Sequence, residues 1–166
     1  VIHKTLPQCF LLFVSRLKLH ISGAFLAAAI SAKLSMIVAL PFFAVYLYNN
    51  KALRAHLSNF MSGFAVSALI FLLPFVFSQG AWNMLIGNPE VTKIYDFRLE
   101  ISGAQSVLMV PLIYSIILYL TWQIKRLNFE LFVAMTGLAF LLIVLTSPGS
   151  PGWFIWCLPF LVFYQA

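Results

Sequence analysis

Charge is scarce in this chain. Asp, Glu, Lys and Arg make up 8% of the 166 residues, while 63% are hydrophobic and 17 are Phe; a soluble domain carries roughly 25% charged residues. A water-soluble globule is therefore excluded, and the composition is that of an integral membrane protein. Cysteine is equally sparse. Cys9 and Cys157 lie in apolar surroundings without a Cys-x-x-Cys, Cys-His or other paired spacing, which leaves no redox or zinc motif and points to inert thiols. No GxGxxG, P-loop, HExxH or Gly-x-Ser-x-Gly pattern occurs, and no internal repeat of about 20 to 50 residues stands out. A secretory signal peptide is not visible either, because the first residues lack a basic start, an apolar centre and a small-residue cleavage site in that order. The chain opens with Val1 instead of Met and closes at Gln165-Ala166 in or just after an apolar run, which reads as a piece of a longer protein.

The net charge of +6 comes from basic residues placed mostly near the ends of apolar runs. That placement marks membrane topology rather than a nucleic-acid surface. The expected partners are accordingly membrane lipid and a lipid-borne substrate, with no nucleic acid.

Five apolar regions follow one another: 21–48, 60–77, 105–122, 131–146 and 153–166. Backbone groups in hydrocarbon must be satisfied within the segment, so these runs predict helices, and they are too continuous for barrel strands. The expected fold is all-α: a single polytopic transmembrane bundle, integral to the membrane (the plasma or inner membrane, if bacterial), with a broken or re-entrant helix pair and one short interfacial helix.

Lys33 is the most informative residue. It stands alone inside the 28-residue run from Ile21 to Tyr48, where an ionisable group costs at least ~2.5 kcal/mol and is a functional candidate by default. As one helix that run would be about 42 Å long, more than an upright crossing needs. Together with Pro41, Lys33 predicts an interruption. Either helices over 22–32 and 34–48 meet near Lys33 as a re-entrant hairpin, or one kinked, tilted helix crosses. Lys4, Arg16 and Lys18 before the run and Lys51 and Arg54 after it put both ends on the cytoplasmic side and favour the hairpin. Lys125 and Arg126 mark the next cytoplasmic loop.

Two outer loops result. The first, 78–104, holds Glu90, Asp96 and Glu100 against Lys93 and Arg98, a net charge of −1. Asn88-Pro89-Glu90 reads as a helix start with a short helix running through Phe97. Its carboxylates could act as a general base, coordinate a divalent metal ion or accept hydrogen bonds from sugar hydroxyls; ordinary solvated loop acids are the plainer alternative. Asp96 and Glu100 share a face only if the helix continues. The second outer loop, 147–152, leads to Trp153 and Trp156, which either stack on a sugar or isoprenoid chain or anchor the chain at the interface. Lys33 itself can hold a lipid-linked phosphate or simply snorkel or pair for structural reasons.

Two segments resemble the multi-pass glycosyltransferases of the GT-C type, which depend on polyprenyl-phosphate sugars. The stretch from Gly23 through Lys33 to Leu40-Pro41, a small-residue helix, a Lys and an apolar helix, is similar to the middle of those enzymes. Ser147-Pro148-Gly149-Ser150-Pro151-Gly152-Trp153-Phe154-Ile155-Trp156-Cys157-Leu158-Pro159-Phe160 resembles their outer-loop segment, with Gly152 where many members carry Gln. The resemblance implies transfer of a hexose-like or mannosyl sugar from a polyprenyl-phosphate donor at the outer or luminal face. It also implies an acidic base in a first outer loop that this sequence does not contain, so no catalytic base is assigned. Lys33, Glu90, Asp96, Trp153 and Trp156 are the substrate-binding candidates. A transporter or flippase, whose substrate path also uses broken helices, and a non-catalytic subunit of a membrane complex are the rival readings.

Overall fold

A computed structural model describes residues 5–86, 93–103, 105–146, 154–155 and 157–165. These residues are mostly helical. Helix α1 (Thr5–Ala32) is followed by a 3-10 helix (Leu34–Ala39), α2 (Leu40–Asn49), the single turn α3 (Lys51–Arg54), α4 (Leu57–Val76) and α5 (Gln79–Ile86). After a 3-10 turn (Lys93–Tyr95), strands β1 (Arg98–Ser102) and β2 (Gln105–Leu108) lead into α6 (Met109–Gln123), α7 (Phe129–Thr146) and α8 (Leu158–Gln165).

Proline placement explains several helix starts. Pro41, Pro111 and Pro159 each stand in the first turn of a helix, where a missing N–H removes no intrahelical bond and the ring fixes a helical φ. Pro41 therefore opens α2 and does not break the apolar run, contrary to expectation. Pro74 lies inside α4, near its end at Val76.

Residues 105–108 are a second correction. They are a strand, not the start of a helix, and pair antiparallel with β1 in the register Arg98↔Leu108, Leu99↔Val107, Glu100↔Ser106 and Ser102↔Gln105. Arg98-Leu99-Glu100-Ile101-Ser102 alternates polar and apolar residues, the period of a strand with two unlike faces, and Gly103 at φ +22° takes part in the reversal. The first arm is also longer than expected: the chain is already helical at Thr5, well before Ser22. Of the last apolar region, the described residues hold a 3-10 turn at 154–155 and the 8-residue helix Leu158–Gln165.

Two helices among the described residues are long and apolar enough to cross a membrane: α4, with 20 residues and mean hydropathy 1.9, and α7, with 18 residues and mean hydropathy 2.2. Stretches 17–32, 34–49 and 109–123 are shorter apolar helical segments. On α4, Leu69 and Ile70 are each 65% exposed and Phe77, just past its end, 82%, so the C-terminal half of this helix presents large apolar side chains on its surface.

The core forms where α2, α6 and α7 meet. Phe42, Val45, Ile117, Leu127, Phe132 and Ala139 are buried together, and Ala39, Phe140, Val144 and Cys157 form an adjoining cluster. Phe132 is the hub, with its ring centroid 5.0 Å from Phe43 and 4.8 Å from Tyr46. Helices α2 and α6 run in the same direction, since Phe42 meets Tyr114 at one level and Tyr48 stacks on Trp122 at the other. Two hydroxyls are fully enclosed here. Thr121 and Thr136 donate to the carbonyls of Ile117 and Phe132 at 2.7 and 2.8 Å, so each is satisfied within its own helix and leaves no unpaired polar group in the apolar interior.

Candidate functional site

The interruption falls at Lys33. Its backbone is extended, at φ −151° and ψ 113°, so the helical path stops for one residue. The flanking hydrogen bonds survive: the Lys33 N–H donates to the Ala29 carbonyl at 2.9 Å, and the Lys33 carbonyl accepts from the Met36 N–H at 3.0 Å. The side chain is half-buried and carries an ammonium with three donors.

Beyond Lys33 the chain changes partners. Helix α1 packs chiefly on α4, the 3-10 helix still touches α1, and α2 packs on α6 and α7. Tyr114 of α6 donates its hydroxyl to the carbonyl of Val38 at 3.0 Å, and Ala39 is buried against Phe140 and Val144. Lys33 therefore falls where the chain passes from its packing on α4 to the core of α2, α6 and α7, and Phe43 stacked on Phe60 at 5.8 Å bridges the two.

The other candidates are placed unevenly. Asp96 is exposed and directly follows the 3-10 turn, its N–H donating to the Lys93 carbonyl at 3.1 Å. Glu100 lies on β1 opposite Ser106, so Asp96 and Glu100 do not share a helix face; the expected helix through Phe97 is, at its described end, the single turn Lys93–Tyr95. Glu90, Trp153 and Trp156 lie outside the described residues. Among the described residues no group of three His, Cys, Asp or Glu side chains could hold a metal ion.

Helix α6 separates the charged ends of the molecule. The hairpin with Asp96 and Glu100 enters its N-terminus, where the Met109 N–H donates to the Phe97 carbonyl at 3.1 Å, while Lys125 and Arg126 follow its C-terminus. Its 15 residues put about 22 Å between them.

One contact was not foreseen from the sequence. Helices α1 and α4 touch backbone to backbone at Gly23 and Gly63. A β-carbon on Gly23 would lie 2.7 Å from the Phe64 nitrogen and closer still to the Phe60 carbonyl, and one on Gly63 would lie 2.8 Å from the His20 α-carbon. Beside this crossing, Ser62 Oγ lies 3.2 Å from His20 Nδ1 and donates to the Asn59 carbonyl at 3.0 Å. A hydroxyl both donates and accepts, so Ser62 can bridge the Asn59 carbonyl and the His20 ring. The pair links α1 to α4 beside the glycine crossing. The signal lay in Gly23-x-x-x-Ala27 and Gly63-x-x-x-Ser67, the small-residue spacing by which helices approach closely in membranes.

The chain matches no protein-family model, no curated protein and no solved structure.

Proposed function

We propose that this chain is the membrane-embedded part of a multi-pass glycosyltransferase that takes its sugar from a polyprenyl-phosphate donor, with Lys33 holding the donor phosphate. The observation that carries the proposal is the single-residue interruption at Lys33 between α1 and the 3-10 helix, a cation at a joint inside an otherwise apolar stretch. A fixed ammonium beside a departing phosphate stabilises the charge that develops as the sugar leaves. The outward-facing apolar side chains of α4 support a lipid surrounding, and the segments around Lys33 and after Thr146 supply the resemblance to GT-C enzymes. Multi-pass topology belongs to the same proposal: α4 and α7 cross as single helices, and the shorter segments either side of Lys33 share one further passage or re-entrant loop.

The test is retention of a polyprenyl-phosphate sugar by the purified protein. Wild type should retain the lipid and Lys33→Met should lose it by about tenfold or more, the loss of one charge-assisted phosphate contact. Equal retention by both would remove Lys33 from the site.

A further inference from the structure

A second site lies at the opposite end of α6 from the acid-bearing hairpin. The C-terminus of α2 and the C-terminus of α6 come together there around a cleft of about 710 Å³ lined by Lys51, Arg54, Lys125 and Arg126. These cations come from two segments more than 70 residues apart in sequence, and none of the residues lining the cleft is acidic. Positive charge gathered without a lining counter-charge favours an anion.

The cleft is built, not a chance meeting of loops. Asn49 donates from Nδ2 to the carbonyls of both Trp122 and Ile124, at 3.1 and 3.0 Å. The end of α2 is thereby tied to the last turn of α6, immediately before Lys125. The Tyr48 ring stacks on Trp122 with centroids 5.6 Å apart, and the Arg54 guanidinium lies 4.1 Å from the Tyr48 centroid. Arg54 is thus held over an aromatic face, a cation–π arrangement that leaves the guanidinium edge available for oxygen ligands. Asn50 caps α3 through the Ala52 N–H at 3.1 Å, and Asn128 accepts from the Leu131 N–H at 2.9 Å at the start of α7, so the backbone on both sides of the cleft is pinned.

Cations gathered beside aromatic rings at the end of apolar helices suit the headgroup level of a membrane. We propose that the Lys51, Arg54, Lys125 and Arg126 cleft binds a phosphate group, and that an anionic phospholipid headgroup supplies it. This site is separate from Lys33. Its test needs no sugar donor, so the failure of either proposal leaves the other standing.

The experiment is native mass spectrometry of the full protein released from detergent micelles that contain phosphatidylcholine and phosphatidylglycerol. Wild type should keep bound phosphatidylglycerol. Lys125→Gln with Arg126→Gln should lower its retention about 10- to 30-fold, and Lys51→Gln with Arg54→Gln should do the same from the other segment. The two pairs are tested separately, so misfolding of one leaves the other decisive, and Lys125→Arg, which keeps the charge, should retain the lipid. A charge-matched control, Lys18→Gln with Lys93→Gln, should behave as wild type. Undiminished retention in both folded cleft variants overturns the proposal, as does an equal loss in the control, which would mean net charge alone. Added inorganic phosphate distinguishes the source: displacement of the lipid shows that the phosphate itself is recognised and that a soluble phosphate can fill the site, and no displacement assigns the site to the intact lipid.

Discussion

The hydroxyl of Tyr114 donates to the backbone carbonyl of Val38 at 3.0 Å, three residues before a proline that cannot donate. In the 3-10 pattern of Leu34–Ala39 the Val38 carbonyl would next be paired by residue 41, and Pro41 has no N–H. A side chain from α6 thus reaches the acceptor that the proline leaves without its local donor. That bond ties the segment after the Lys33 interruption to the rest of the core.

Tyr114→Phe should therefore destabilise the protein by about 0.5 to 1.5 kcal/mol, the range for losing one half-buried hydrogen bond. Thermal melting in detergent measures it. A melting temperature equal to wild type would mean that the Val38 carbonyl finds another donor at no cost.

At the α1–α4 crossing, Gly63→Leu should be far more damaging than a substitution at Gly80. A β-carbon at Gly63 meets the backbone of His20, and backbone cannot swing aside, whereas at Gly80 the nearest atom is Ser78 Oγ at 3.7 Å. Gly63→Leu should separate α1 from α4, lowering the melting temperature and opening this crossing to proteolysis. Gly80→Ala should melt within experimental error of wild type. Similar behaviour of the two variants would contradict the close crossing.

Asn49→Ala removes two side-chain hydrogen bonds to the end of α6 and should cost about 1 to 3 kcal/mol. Because those bonds hold Lys51 and Arg54 against Lys125 and Arg126, the same variant should weaken phosphatidylglycerol retention without removing any charge. Asn49→Asp keeps the size but replaces the donor with an acceptor, and should be no better than Ala. Full headgroup retention in Asn49→Ala would mean that the two cationic segments do not need this tie.

Lys33→Met should fold at least as well as wild type. An ionisable side chain in an apolar segment costs ~2.5 kcal/mol or more on insertion scales, and methionine matches the lysine stem in length while removing the charge. Expression and monodispersity on size-exclusion chromatography check this. Aggregation of Lys33→Met would show that the lysine holds the fold together rather than serving a ligand.

The place of the interruption was legible because it depends on local chemistry: a single lysine in an apolar run has few structural uses, and the helix does stop at Ala32. The apolar runs now occupied by α4 and α7 were legible for the same reason, to within about three residues at their starts. The β1–β2 hairpin was hidden by the apolar run that follows it, since Val107 and Leu108 join Met109 and Val110 without a break in hydropathy. The alternation in Arg98-Leu99-Glu100-Ile101-Ser102 was the available cue. Pairings between distant segments were the least legible. Gly23 against Gly63 and Asn49 against Trp122 are choices among several apolar helices, and no local pattern says which helix meets which. The cationic cleft was hidden in that way too: Lys51 with Arg54 and Lys125 with Arg126 each read as a topology marker, and only the tertiary contact of α2 with α6 joins them.

The most direct measurement of the central claim is transfer of radiolabelled sugar from polyprenyl-phosphate donors in membranes carrying the protein, wild type beside Lys33→Met. The account predicts transfer by wild type and its loss in Lys33→Met at equal expression. Absence of transfer with every donor tried, despite a folded and well-expressed wild type, would contradict the transferase and turn attention to transport of the lipid-linked substrate.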